Sequence, residues 1–383
     1  MSFYITISQP PKSHQITLED ILTKELPVYA FQQPTGESYT LTRVANSVTK
    51  QTLANARIGH AVQSVLEFNE TYKDLFEQPR EKLYHTFYIP KKSGGLRRID
   101  EPNPELMGAL RRLKEILESD FHAMHHTAAF AYVKGRSTIN SLERHQRNHS
   151  NWFLKTDFSN FFGSTTLEFT LSMLKIIFPF NYVYELYPDG WKALEKALEL
   201  GFLNGGLPQG TPLSPALTNL IMLPIDHRLK NDLIKRKEKF CYTRYADDIL
   251  ISSRRNFTYS EVVNYIDEVL EEFHAPFRIK AEKTRYGSSA GANWNLGVML
   301  NKDGNITIGW RKKKQFHAMV HNFITDFNNN KHWELSDVQT FSGLLSYYYM
   351  VEPSYMKGYL DHVYDKYKVN LRKLIRIELN RKG

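Results

Sequence analysis

The sequence predicts an α+β fold: an antiparallel sheet backed by helices, followed by a separate helical lobe. Three observations carry this. Tyr245-Ala246-Asp247-Asp248 lies between β-prone Lys239-Phe240-Cys241-Tyr242-Thr243-Arg244 and apolar, β-branched Ile249-Leu250-Ile251-Ser252, which reads as a hairpin bent at two acids. A strand, a helix pair, a further helix, this hairpin, another helix and another strand follow one another, the order of an antiparallel sheet covered by helices. From about residue 311 onward the apolar spacing is helical and the charge is basic.

In chain order, residues 1–40 are mixed and proline-containing, an arm with one short helix over Leu18–Leu26. Leu41, Val44, Val48, Leu53, Ile58, Val62, Val65 and Leu66 stand at helical spacing, one or two amphipathic helices. His85–Ile89 reads as a strand, Lys91-Lys92-Ser93-Gly94-Gly95 as a turn and Leu96–Ile99 as the return strand. Leu106–Phe121 is a helix and Trp152–Thr156 a strand that ends in Asp157. Helices over Leu167–Phe178 and Gly190–Leu200 lead to a Gly/Pro-rich loop, Gly201–Pro215, which opens a helix from Ser214 to Lys230. The acidic hairpin is followed by a helix over Tyr259–Phe273, a strand over Phe277–Lys280 and a second hairpin, Trp294–Met299 with Ile306–Trp310.

Composition bounds the function. A chain of 383 residues is too long for one ordinary core, so two or three subdomains are expected. The net charge of +9, with 22 Tyr and 23 Phe, suits a polyanionic partner and offers stacking surfaces. The single Cys241 excludes an internal disulfide and a cysteine zinc site, and fits a reducing cytoplasm. No apolar run reaches the roughly 18 residues of a membrane span, and no export signal is evident.

Adjacent acids at a hairpin tip are poorly placed for packing and well placed to hold a divalent metal. Asp157 supplies a partner carboxylate; alone it would read as a helix cap. Together the three acids match the clamp of in-line phosphoryl transfer, two Mg²⁺ ions held by carboxylates from neighbouring strands. Gly205-Gly206-Leu207-Pro208-Gln209-Gly210-Thr211-Pro212-Leu213-Ser214-Pro215 lets backbone approach a planar ligand, and Gln209 can both donate and accept at a base or sugar edge.

Asp157-Phe158-Ser159-Asn160-Phe161-Phe162, Gly206–Pro215 and Tyr245-Ala246-Asp247-Asp248 resemble, in order, the palm motifs of reverse transcriptases, in the style of the bacterial group II intron, retron and phage-defence enzymes. Ile89–Ile99 and Phe130–Ser137 resemble the fingers blocks, Glu282-Lys283-Thr284 and Asn295-Leu296-Gly297 the blocks after the catalytic hairpin, and Phe341–Tyr348 with Glu352-Pro353 the thumb. The resemblance spans residues 80–365.

It implies a right-hand polymerase: an N-terminal extension (1–74), fingers (75–150), palm (151–300) and thumb (301–383). Asp157 and Asp247 would bind two Mg²⁺, or Mn²⁺ in their place, with Asp248 beside them and the Phe158 backbone assisting. Phe162 stands at the steric gate that admits deoxynucleotides. Arg97 would grip the incoming triphosphate with Lys91 or Lys92, Gln209 and Gly210 would border the nascent base pair, and Lys283 would lie near the triphosphate. Tyr245 would sit by the primer end, and Leu296 with Gly297 would form the primer grip.

The implied activity is RNA-directed DNA synthesis, with an RNA template, a DNA or RNA primer and dNTPs as partners, and oligomerisation left open. The expected domains of an intron-encoded protein do not follow the thumb. The retron signature Asn-Ala-x-x-His reads here as Asn140-Ser141-Leu142-Glu143-Arg144-His145, and Val-Thr-Gly reads as Asn295-Leu296-Gly297. By family analogy a stand-alone cytoplasmic enzyme of the phage-defence type, using a dedicated non-coding RNA, fits best. The alternatives are a protein-primed or template-independent polymerase of the same fold, and an RNA-binding scaffold with a weak catalytic site.

Overall fold

A computed structural model of the chain describes residues 41–91, 94–289, 297–301 and 303–381. The helix expected over Leu18–Leu26, with Lys92 and Leu296, lies outside the described residues. Helices α1 (Leu41–Thr71) and α2 (Lys73–Glu77) precede the hairpin of β1 (Tyr84–Pro90) and β2 (Leu96–Pro102). Then come α3 (Pro104–Glu115), α4 (Thr138–Arg147), β3 (Trp152–Asp157), the single turn α5 (Phe161–Ser164), α6 (Leu167–Leu174), α7 (Phe180–Leu186) and α8 (Pro188–Glu199). Helices α9 (Leu213–Ile221) and α10 (Leu223–Lys235) lead to β4 (Cys241–Tyr245), β5 (Asp248–Ser253), α11 (Tyr259–Glu272) and β6 (Arg285–Ser288). The short strands β7 (Met299–Leu300) and β8 (Ile306–Thr307) precede α12 (Trp310–Asn328), α13 (Leu335–Val351), α14 (Pro353–Tyr367) and α15 (Leu371–Leu379).

The chain divides into two compact units. The first runs up to Met124 and adds Thr170–Asn204 and Pro208–Ser214. In it, α1 buries Ile58, Ala61, Val62, Val65 and Phe68, a helical stripe that packs on α8. The Asn69 side-chain amide donates to the Ala193 carbonyl at 2.8 Å and fixes that packing. Asn103 caps α3, accepting from the Leu106 N–H at 2.8 Å, with Pro104 at the first helical position. The β1–β2 hairpin leaves Phe87, Tyr88, Ile89 and Leu96 exposed, an apolar surface that neither strand covers.

The second unit holds His125–Phe169, Gly205–Leu207 and the chain from Pro215 onward. Its sheet has the order β4-β5-β3-β6, every neighbour antiparallel. Alternation sends Tyr242, Arg244, Leu154 and Thr156 to one face and Thr243, Ser252, Phe153 and Lys155 to the other. The first face meets α10, where the Tyr242 hydroxyl donates to Asp226 at 2.6 Å. The second meets α4: His145 bridges Ser252 Oγ through Nδ1 and Thr243 Oγ1 through Nε2, the latter at 2.8 Å. Ser141 donates to the same Thr243 at 2.9 Å. The core of this face runs from Leu142, Phe153 and Leu250 into the helical lobe through Phe316, Phe323 and Phe341. Glu352, between α13 and α14, accepts from Thr307 Oγ1 and the Ile308 N–H, both at 2.9 Å, and from Lys313 at 2.6 Å. One carboxylate thus fastens the β7–β8 hairpin to three helices.

Among the expected strands, two change. Phe277–Lys280 alternates like a strand, but only Ile279 pairs, as a single bridge to Phe158; the strand beside β3 is Arg285–Ser288. Phe277 is instead a core ring, packed on Phe158, Phe161 and Phe169. Among the described residues the second hairpin pairs over Met299–Leu300 and Ile306–Thr307, and Trp310 already begins α12; Trp294–Leu296 lies outside the described residues. Among the described residues no helix is long and apolar enough to cross a membrane.

Burial, with Arg144 pushing the same way, lowers the pKa of His145 from 6.5 to about 3. The folded chain therefore keeps this imidazole neutral where the unfolded chain protonates it. The contribution is complete above about pH 6.5 and is lost as pH falls from there toward 3. The melting temperature of wild type should drop across that window more steeply than that of His145→Asn; parallel curves would show that His145 does not govern the acid limb.

Candidate active site

The three candidate acids meet at one end of the second unit's sheet. Asp157 is the last residue of β3 and faces Asp248, the first residue of β5, across the antiparallel register. Tyr245 faces the same Asp248 from β4, so Ala246 and Asp247 form the turn between the strands. The Phe158 N–H donates to the Asp247 carbonyl at 3.2 Å and ties the segment after β3 to that turn. The Phe158 ring is buried and stacks on Phe161 and Phe277, so only its backbone is available to the site.

Two lysines answer these charges. The Lys283 ammonium donates to Asp157 Oδ2, and Lys155 lies 3.1 Å from Asp248 Oδ1. Burial raises the pKa of Asp247, and the neighbouring carboxylates of Asp248 and Asp157 push it the same way. The bond to Asp157 raises the pKa of Lys283. Asp157 Oδ1 is buried and has no hydrogen-bond partner among the described residues. An orphaned carboxylate oxygen costs about 1–3 kcal/mol unless something satisfies it. A divalent cation does so, and the all-oxygen donor set suits Mg²⁺. Among the described residues no three acids, histidines or cysteines form a ready-made metal cage, so an ion here must complete its shell from outside the protein, as Mg²⁺ does with substrate phosphates.

The turn that carries Asp247 is itself held. Ala246 has a φ of 58°, a left-handed conformation that disfavours a residue with a Cβ. The fully buried Arg244 donates to the Ala246 carbonyl at 3.0 Å and to Asn219 Oδ1 at 3.2 Å. Its other nitrogens form a fork on Asp226 at 2.9 and 2.7 Å. Helix α10 therefore reaches the acidic turn through one guanidinium.

Phe161 is buried in the core and Phe162 is only half-buried, so of the two rings Phe162 is the one left available as a gate. Its carbonyl accepts from the Leu207 N–H at 3.0 Å. A Cβ on Gly206 would fall inside the van der Waals radius of the Gly163 carbonyl, so this close approach requires glycine. Gly297, with a φ of 99°, accepts from the Lys312 ammonium at 2.6 Å.

The triphosphate and base-pair candidates belong to the first unit. Arg97 and Lys91 are exposed on the β1–β2 hairpin. The Gln209 carbonyl accepts from the Asp100 N–H at 2.7 Å, and a Cβ on Gly210 would come within 2.8 Å of the Asp100 carbonyl. The Gln209–Gly210 loop is thus docked on β2.

Sequence reasoning passed over Lys155, Arg244 and Asp226. A lysine two residues before Asp157 in an apolar strand must share its face, and an arginine inside a strand needs a buried partner; both signals were readable.

Residues 89–323 match the family model described as reverse transcriptase (RNA-dependent DNA polymerase). The chain is 28% identical over 283 residues to the retron Ec83 reverse transcriptase of Escherichia coli, covering 72% of this chain and 85% of that one. It is 28% identical over 286 residues to the retron Mx65 reverse transcriptase of Myxococcus xanthus, covering 72% and 64%. A solved telomerase from Candida albicans, in complex with a fragment of telomeric RNA, is similar at a TM-score of 0.42 and 13% identity, over 79% of this chain and 62% of that one; so distant a likeness carries no weight here. The chain belongs to the reverse transcriptase family, and its similarity is to bacterial retron enzymes. That kinship is closer than the two departures at His145 and Leu296 suggest.

Asp226→Asn leaves Arg244 buried without a counter-charge, a loss of about 3–5 kcal/mol. Urea unfolding should show it; a change under about 1 kcal/mol would mean that the pair does not hold the turn.

Proposed function

We propose that the three carboxylates at the end of β3 and in the β4–β5 turn catalyse the nucleotidyl transfer by which this enzyme copies RNA into DNA. The observation that carries the reading is that the register sets Asp157 opposite Asp248, with Asp247 in the adjoining turn, and leaves Asp157 Oδ1 buried without a hydrogen-bond partner among the described residues. Asp157 and Asp247, with Asp248 beside them and the Phe158 backbone assisting, would hold two Mg²⁺ ions, or Mn²⁺ in their place, which activate the primer hydroxyl and neutralise the triphosphate.

The primer 3′-hydroxyl attacks the α-phosphate of a dNTP; one P–O bond forms, the bond to the bridging oxygen breaks, and pyrophosphate leaves. Lys283, whose ammonium is half-exposed, can turn from Asp157 and give its proton to the departing pyrophosphate. Arg97, with Lys91 beside it, offers a fork to the triphosphate. Gln209 and Gly210 border the new base pair, and the Phe162 ring blocks a ribose 2′-hydroxyl. Tyr245 lies by the primer end, and Gly297, with Leu296, grips the primer. In this reading residues 75–150 are fingers, 151–300 palm and 301–383 thumb. The basic, aromatic thumb follows the template–primer backbone.

A role in phage defence, with a dedicated non-coding RNA as template, extends the reading by family analogy. Sequencing RNA that copurifies with Asp247→Asn protein tests it: one structured species supports the role, and a random cellular pool opposes it.

On poly(rA)/oligo(dT) with Mg²⁺, wild type should extend the primer. Asp247→Asn should lose extension by about 10³-fold or more while retaining RNA binding, since it removes transition-state charge stabilisation. Extension by that variant would remove Asp247 from the site. Phe162→Ala should raise ribonucleotide incorporation relative to deoxynucleotide by about tenfold or more, and unchanged sugar selectivity would discard the gate.

A further inference from the structure

The two lysines at the site are not equivalent. Lys283 pairs with Asp157 from a side chain that is 52% exposed and stands in the segment between β3's neighbouring elements, where it can swing into solvent. Lys155 pairs with Asp248 from a side chain only 15% exposed, rooted in the middle of the central strand β3. The register explains its direction. Lys155 faces Leu250 on β5, so Asp248 is its diagonal neighbour on the same face of the sheet. On its other side Lys155 faces Arg285 of β6, which offers it no counter-charge. Ser141, Thr243 and Tyr245 line the same small cleft as the pair.

We propose that Lys155 is a positioning residue that holds Asp248 as a neutralised partner outside the metal shell, leaving Asp157 and Asp247 as the carboxylates that bind the ions. This rests on the assignment of the site made above and divides labour within it. The three acids carry three negative charges. Lys155 cancels one permanently because strand and cleft hold it, whereas an arriving cation can displace the half-exposed Lys283. The free enzyme then offers little net charge to a divalent ion, and ion binding is coupled to arrival of the triphosphate, which brings its own oxygens. Lys155 thereby acts as a restraint on metal uptake, the opposite of what a residue beside a metal site does when it merely supports the fold.

Mn²⁺ binding to the full chain without primer or nucleotide, followed by electron paramagnetic resonance, tests this without recourse to activity. Lys155→Met should bind Mn²⁺ about fivefold more tightly than wild type, because Asp248 becomes available to the ion. Lys155→Arg should match wild type within about twofold, because it restores the cation. Lys155→Met/Asp248→Asn should also return to within about twofold of wild type, since the charge and its partner leave together. Unchanged or weaker binding by Lys155→Met overturns the proposal. So does a double variant that binds about tenfold more weakly than wild type, which would make Asp248 itself a ligand. Should Lys155→Met fail to fold by circular dichroism, Asp248→Asn alone decides: its loss of Mn²⁺ affinity should be smaller than that of Asp247→Asn, and an equal loss overturns the proposal. Full Mn²⁺ affinity in Asp247→Asn would instead sink the site assignment on which the proposal rests.

Discussion

The buried fork between Arg244 and Asp226 is the interaction on which the acidic end of the sheet depends. Both residues are completely enclosed, so their charges are tolerable only with full hydrogen bonding. Asp226 receives two bonds from Arg244 and one from Tyr242, and the remaining guanidinium nitrogen reaches the Ala246 carbonyl and Asn219. A helix, a strand, a neighbouring helix and the turn are thereby locked to one planar group. A lysine could not replace it, because one ammonium cannot present a fork on one side and a third donor on the other. The strain of Ala246 is the counterpart: the turn adopts a conformation it would not choose alone, and in doing so presents Asp247.

Two of the three acidic charges at the site are paired before any ion arrives. The sheet register places Asp157 and Asp248 directly opposite, an arrangement that destabilises a bare pair of like charges. The lysines make it tolerable, each on its own acid, while burial and the neighbouring carboxylates raise the pKa of Asp247. Such a site is stable as folded protein and still has reason to take up a cation.

Much of this was legible in the sequence, and what was missed has identifiable causes. The acidic hairpin was readable because apolar strands flank a polar bend, and Asp157 because it terminates an apolar run. The helical lobe followed from its periodicity. Strand β6 was not readable: Arg285-Tyr286-Gly287-Ser288 has neither alternation nor an apolar run, and it is a strand only because β3 offers it an edge. Phe277–Lys280 alternates well, yet the aromatic cluster claims Phe277 for packing. The pairing of Lys155 with Asp248 depends on register between segments about ninety residues apart, which local pattern does not encode. His145 sits one place later than the retron pattern, yet its ring still bridges two strands, a role visible only once α4 lies across the sheet.

The contact between Gly206 and Gly163 has a bearing on how this fold can vary. The Gly/Pro-rich loop lies so close to the turn bearing Phe162 that neither backbone has room to move independently, and the Leu207 N–H bonds the Phe162 carbonyl. The two segments are more than forty residues apart in sequence and meet backbone to backbone. The position of the Phe162 ring is therefore inherited together with the loop: drift in the loop would reposition the ring, and a lineage that altered the ring would have to leave its glycine bearing untouched.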